Sequence, residues 1–122
     1  IFSLNKYGYK DREKIALQYV KLCKKITNNN INVILATVSL FDSIRKWNKK
    51  NFSNYVEIYI QSNLKKIIKQ KKKFFYIKKT NNVVGLNIRP EFPKKPNIIL
   101  QNNFETSLEK LSEKLLKKLK IF

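Results

Sequence analysis

From Ile31 to Val38 the chain reads INVILATV, and only Asn32 and Thr37 interrupt the apolar run. A nearly continuous, β-branched stretch of this kind suits a strand covered on both faces, and such strands belong to parallel sheets. Parallel strands need crossovers, usually helical. The flanking sequence supplies them. Between Asp11 and Ile26 the positions Ile15, Tyr19, Leu22, Cys23 and Ile26 fall on one helical face, and Asn28-Asn29-Asn30 ends that helix. Ser39 to Asp42 make a turn. A short amphipathic helix follows from Ser43 to Asn51, with Ile44 and Trp47 inward. YVEIYI (Tyr55 to Ile60) reads as the next strand, LKKIIKQ as a basic helix start, and NIIL (Asn97 to Leu100) as a short strand. Thr106 with Glu109 has the form of a capping box, opening a helix whose Leu108, Leu111, Leu115 and Leu119 share a face. The alternation predicts an α/β fold with a parallel sheet, its ligands bound beyond the carboxyl ends of the strands near Ser39–Phe41 and Gln61–Asn63.

Composition removes several function classes. A chain of 122 residues suits one domain. Without histidine it can build neither a Cys/His zinc site nor a His-based triad, so no metal site is expected. The lone Cys23 allows no internal disulfide and reads as a small core residue on its helix face. No apolar run reaches the length of a membrane span and no signal peptide is visible, so no membrane partner and a cytoplasmic location are expected. The net charge of +19 invites an acidic partner. Yet 24 of the 27 basic residues are Lys, accompanied by fifteen Asn and fifteen Ile, the residues that AT-rich codons supply. Arg12, Arg45 and Arg89 are the only arginines, which argues against a dedicated nucleic-acid surface. Methionine is absent and residue 1 is Ile, which reads as a piece of a longer protein.

Glycine and proline are concentrated in one place. Of two glycines and three prolines, Gly85, Pro90, Pro93 and Pro96 all lie between Asn82 and Leu100. Both residue types constrain the backbone path, so a defined loop is expected there. The preceding Lys-rich segment, Lys65 to Lys79, is of low complexity and reads by composition as solvated.

The order YGYKDRE (Tyr7 to Glu13), amphipathic helix, NVILATVSLFD, YVEIYI and NVVGLNI…PKKPNIIL resembles the adenylyl-sulfate kinase family across nearly the whole chain from Tyr7. It is closest to the divergent branch found with surface-polysaccharide genes. The resemblance implies a three-layer parallel sheet of the P-loop nucleotide kinase type, incomplete at the amino terminus. Residues 1–122 would be the acceptor-side part of a single kinase domain, with a lid over about residues 69–92. The implied activity is transfer of the γ-phosphate of ATP, with Mg²⁺, to a hydroxyl of a nucleotide-linked substrate, as in sulfate assimilation. The Gly85 segment would end the lid, which excludes water as a competing acceptor.

Carried over by position, Arg12 falls on the family's substrate-binding Arg, whose planar fork suits phosphate or sulfate. Val38 and Ser39 fall where a strand end lines the acceptor site, Lys73 on the lid lysine, and Gly85 on the glycine of the base-contacting segment. Val83 replaces an aromatic that stacks on adenine. That loss makes another nucleotide conjugate, such as the cytidine diphosphoramidate used in capsule modification, an equal alternative. Further departures are Ile15, Leu17 and Gln18 in place of a family Asn and helical arginines, and a shortened lid without its Asp and Gly. No G-x-x-x-x-G-K-[ST] and no DGD motif occurs, so the catalytic residues are expected in an amino-terminal part and the fragment alone is expected to be inactive. A basic polyanion-binding module and a decayed kinase relic are the alternatives. Related kinases commonly pair, so a homodimer is an option the resemblance brings.

Overall fold

The computed structural model describes residues 8–38, 41–69, 84, 85 and 88–119. The described residues fall into two compact units, one drawn from Ile1–Tyr55 with Asn81–Phe92, the other from Val56–Thr80 with Pro93–Phe122.

The first unit is built on two helices. Helix α1 (Tyr9–Thr27) begins after an extended Gly8, with Asp11 in its first turn and Lys24 and Lys25 in its last. Those charges complement the helix dipole at both ends. The Asn triplet terminates it as expected. Asn28 is the C-cap, Asn29 and Asn30 donate their N–H groups to Ile26 and Thr27 carbonyls at 3.0 Å, and Asn30 turns into the left-handed region at φ 59°. Asn is among the few non-glycine residues that enter that region readily. Helix α2 (Asp42–Asn51) stops at an extended Phe52.

Val20, Phe41, Ile44 and Ile88 form the core of this unit, with Ala16, Leu17, Trp47 and Val84 packed on it. Ile44 and Trp47 therefore face inward as the periodicity predicts. The contact face of α1 differs from the expected one: Ala16, Leu17 and Val20 make it, while Tyr19 and Leu22 stand exposed. Apolar residues cover most of the circumference of α1, so spacing alone cannot choose among its faces. Trp47, Phe52 and Tyr55 continue the packing through ring contacts at 6.0 and 6.3 Å between centroids.

Residues 31–38 correct a second expectation. They form no strand, and Ile34 is 98% and Val38 69% exposed. A strand exists through its ladder and not through its own composition; no ladder partner for this run is present among the described residues.

The second unit carries the sheet. Strand β1 (Ile58–Gln61) pairs in parallel with β2 (Ile98–Gln101), from Ile58 opposite Ile98 to Gln61 opposite Gln101. Asn97 accepts the Glu57 N–H at 2.8 Å at the entrance of the pair, and the Asn102 N–H reaches the Gln61 carbonyl at 2.8 Å at its exit. Helix α3 (Leu64–Lys69) follows β1, with Asn63 accepting the Lys65 N–H at 2.8 Å. Helix α4 (Leu108–Leu119) lies against β2, and Ile98, Leu100 and Leu111 are the buried apolar residues of this unit. The cap of α4 lies one residue later than expected. Ser107 is the capping residue, its Oγ accepting the Lys110 N–H at 3.4 Å, and Leu108 stays 75% exposed. The connectivity is mixed α/β with a parallel pair, as the alternation predicts.

Candidate functional site

The start of α1 and the start of α2 are tied together in the first unit. The Tyr9 ring meets the Phe41 ring edge-on at 4.8 Å. One turn into α1, Glu13 accepts the Ser43 hydroxyl at 2.5 Å. Glu91, just after Pro90, accepts the Tyr9 hydroxyl on Oε1 at 2.5 Å and the Asp42 N–H on Oε2 at 2.6 Å. On α2 the buried Arg45 lies 3.4 Å from Asp42 Oδ1, and Lys46 pairs with the other Asp42 oxygen at 2.9 Å.

These contacts set the electrostatics. Hydrogen bonding to Glu91, with burial and the charges of Glu91 and Glu13, pushes the Tyr9 hydroxyl up to about 12. The same bond holds Glu91 below the usual carboxylate range, helped by the Asp42 N–H and the Arg45 charge. Asp42 is lowered chiefly by its bond to Lys46.

Arg12 is half-buried in the first turns of α1, its N–H bonded to the Gly8 carbonyl at 3.1 Å. Gly85 makes the turn between the bridged residues Val84 and Ile88, at φ 88° and with its N–H donating to the Ile88 carbonyl at 2.9 Å. A side chain there would be strained, which accounts for glycine. Val38 is exposed at the end of the 31–38 segment. Arg12, Val38 and Gly85 thus belong to one compact unit. Ser39, Lys73 and Val83 lie outside the described residues.

Glu91, Tyr9 and Arg45 escaped the sequence reading. A signal was present: the chain has only eight acidic residues against 27 basic ones, and three of the eight, Glu13, Asp42 and Glu91, gather here.

The sequence has no P-loop motif, and among the described residues no group of three or more acidic, Cys or His side chains could hold a metal. No helix among the described residues is long and apolar enough to cross a membrane.

The parallel pair of the second unit makes the chain mixed α/β, a class whose members include nucleotide kinases. The family model described as Adenylylsulphate kinase matches residues 4–101, and the chain belongs to that family. Cytidine diphosphoramidate kinase of Campylobacter jejuni is 32% identical over 117 residues, covering 93% of this chain and 68% of that relative. By family the chain is a kinase, and phosphoryl transfer to a nucleotide-linked acceptor is the chemistry that membership carries.

Proposed function

We propose that this chain forms the acceptor side of a P-loop phosphotransferase, in which Arg12 holds the phosphate or sulfate of a nucleotide conjugate and the Gly85 turn approaches its base. The observation that carries the reading is the placement of Arg12 and Gly85 in one unit, on segments joined through Tyr9 and Glu91. Val38 and Ser39 would line the same acceptor, with Lys73 and Val83 on a lid over about residues 69–92. The relative's name and the valine at position 83 both favour a cytidine diphosphate conjugate over adenylyl sulfate, and with it a role in polysaccharide modification. In the complete domain, a three-layer parallel sheet, ATP with Mg²⁺ would supply the phosphoryl group. The proposal includes a cytoplasmic location and pairing into a homodimer.

Binding of cytidine 5′-diphosphate and adenosine 5′-monophosphate to the full chain tests this, measured by calorimetry at several salt concentrations. The cytidine nucleotide should bind more tightly, and Arg12→Ala should lose about 1.5–3 kcal/mol, the worth of a hydrogen bond to a charged group. Equal, weak binding of both that collapses as salt rises would instead mark a polyanion surface.

A further inference from the structure

The amino terminus of α2 is capped from another segment. Phe41 occupies the N-cap position, and its side chain has no acceptor to offer. The first N–H groups of a helix have no partner within it. Glu91 Oε2 nevertheless accepts the Asp42 N–H at 2.6 Å, across 49 residues of sequence. Its second oxygen accepts the Tyr9 hydroxyl at 2.5 Å, across 82 residues. One side chain therefore joins the first residue of α1, the first residue of α2 and the proline-spaced loop.

A carboxylate suits this place on three counts. It accepts with both oxygens, it complements the partial positive charge of a helix start, and its charge strengthens both bonds. Arg45, with a side chain only 4% exposed, lies one turn into α2 beside Asp42 and adds positive potential from within the same unit. The three joined segments are those that carry the acceptor residues. Arg12 lies one turn beyond Tyr9, Val38 just precedes α2, and Gly85 with the core residue Ile88 leads into Glu91.

We infer that Glu91 is a positioning residue of the acceptor site, holding the start of α1, and with it Arg12, in register with the Gly85 turn. The roles given to Arg12 and Gly85 rest on the acceptor reading proposed above; the Glu91 contacts do not. Glu91 touches no reacting atom. Its effect passes through Tyr9 on one side and through the short Ile88–Glu91 stretch on the other.

The test uses the full chain labelled with ¹⁵N, as wild type, Glu91→Ala, Glu91→Gln and Tyr9→Phe. Amide resonances are recorded together with titrations of cytidine 5′-diphosphate and adenosine 5′-monophosphate. Glu91→Ala should move the amides of Asp42, Arg12 and Gly85 and weaken the preferred nucleotide about tenfold or more, a loss of about 1.4 kcal/mol or more. Glu91→Gln keeps the shape and one acceptor oxygen and should recover most of that loss. Tyr9→Phe removes only the hydroxyl, so it carries the test should the alanine variant fail to fold, and it should move Arg12. Movement confined to Asp42 would overturn the inference and leave Glu91 a helix cap alone. Unchanged nucleotide affinity despite moved Arg12 and Gly85 would overturn it as well. If wild type binds neither nucleotide while Arg12 and Gly85 still respond to Glu91, the coupling stands and the acceptor reading falls.

Discussion

Ile88→Ala measures whether the Gly85 segment belongs to the core of the first unit. Ile88 is 8% exposed and joins Val20, Phe41 and Ile44. The substitution removes about three buried carbons at about 0.8 kcal/mol each, or roughly 2.4 kcal/mol in transfer terms. A residual cavity adds to this, and the Ile→Ala range runs from about 2 to 5 kcal/mol. No side chain of the described residues is less than 2% exposed, so this thin core can relax around the deletion. A cost of about 2.5–3 kcal/mol is expected, at the lower end of that range. Trp47, the only tryptophan of the chain, packs on the same core, so its fluorescence in a urea titration reports this unit directly. Ile34→Ala is the matched control, deleting the same atoms from a residue 98% exposed, with an expected effect within about 0.5 kcal/mol. An Ile88→Ala cost no larger than that of the control would refute the reasoning and detach the segment from the core.

Three further outcomes follow from single contacts. Gly85→Ala, at φ 88°, should cost about 1–2 kcal/mol in the same Trp47 titration, from left-handed strain alone. Tyr9 should titrate near 12 instead of 10.0, read as the ultraviolet difference between wild type and Tyr9→Phe, and Glu91→Gln should bring it back toward 10.0. The raised Tyr9 value makes its contribution to stability complete below pH 10.0 and lost as pH rises through about 12. The depressed Glu91 value gives the opposite sign: its contribution is present above pH 4.5 and lost as pH falls through the lowered value, so the pair is strongest between those limits. Ser107→Ala removes the cap of α4 and should cost about 1 kcal/mol, read by thermal unfolding in circular dichroism.

Local chemistry made much of this fold legible. The Asn28–Asn30 stop, the inward Ile44 and Trp47, and the parallel β1–β2 pair all follow from spacing and side-chain type over short windows. What escaped is decided between segments. The working face of α1 depends on which neighbour reaches it, and here Phe41 and Ile88 meet Ala16, Leu17 and Val20. The run 31–38 has the composition of a strand, but only a neighbouring backbone can make it one. The shift of the α4 cap from Thr106 to Ser107 is a one-residue choice between two adjacent hydroxyl residues. Arg12 and Gly85, the acceptor residues proposed above, drew notice only because the family wording surrounds them. Glu91 was not, since its partners lie 49 and 82 residues away and periodicity does not reach that far.

The exposed run at 31–38 also bears on how the chain behaves in bulk. It joins high β propensity to an absence of charge and proline, the composition of segments that pair between molecules. Ile34 and Val38 present it to solvent. A net charge of +19 opposes such pairing by mutual repulsion, which acts over about 10 Å at 0.1 M salt and only about 3 Å at 1 M. Raising the salt should therefore favour strand pairing between molecules through this run, and a low-salt buffer well below the isoelectric point of about 10.1 is the condition that most opposes it.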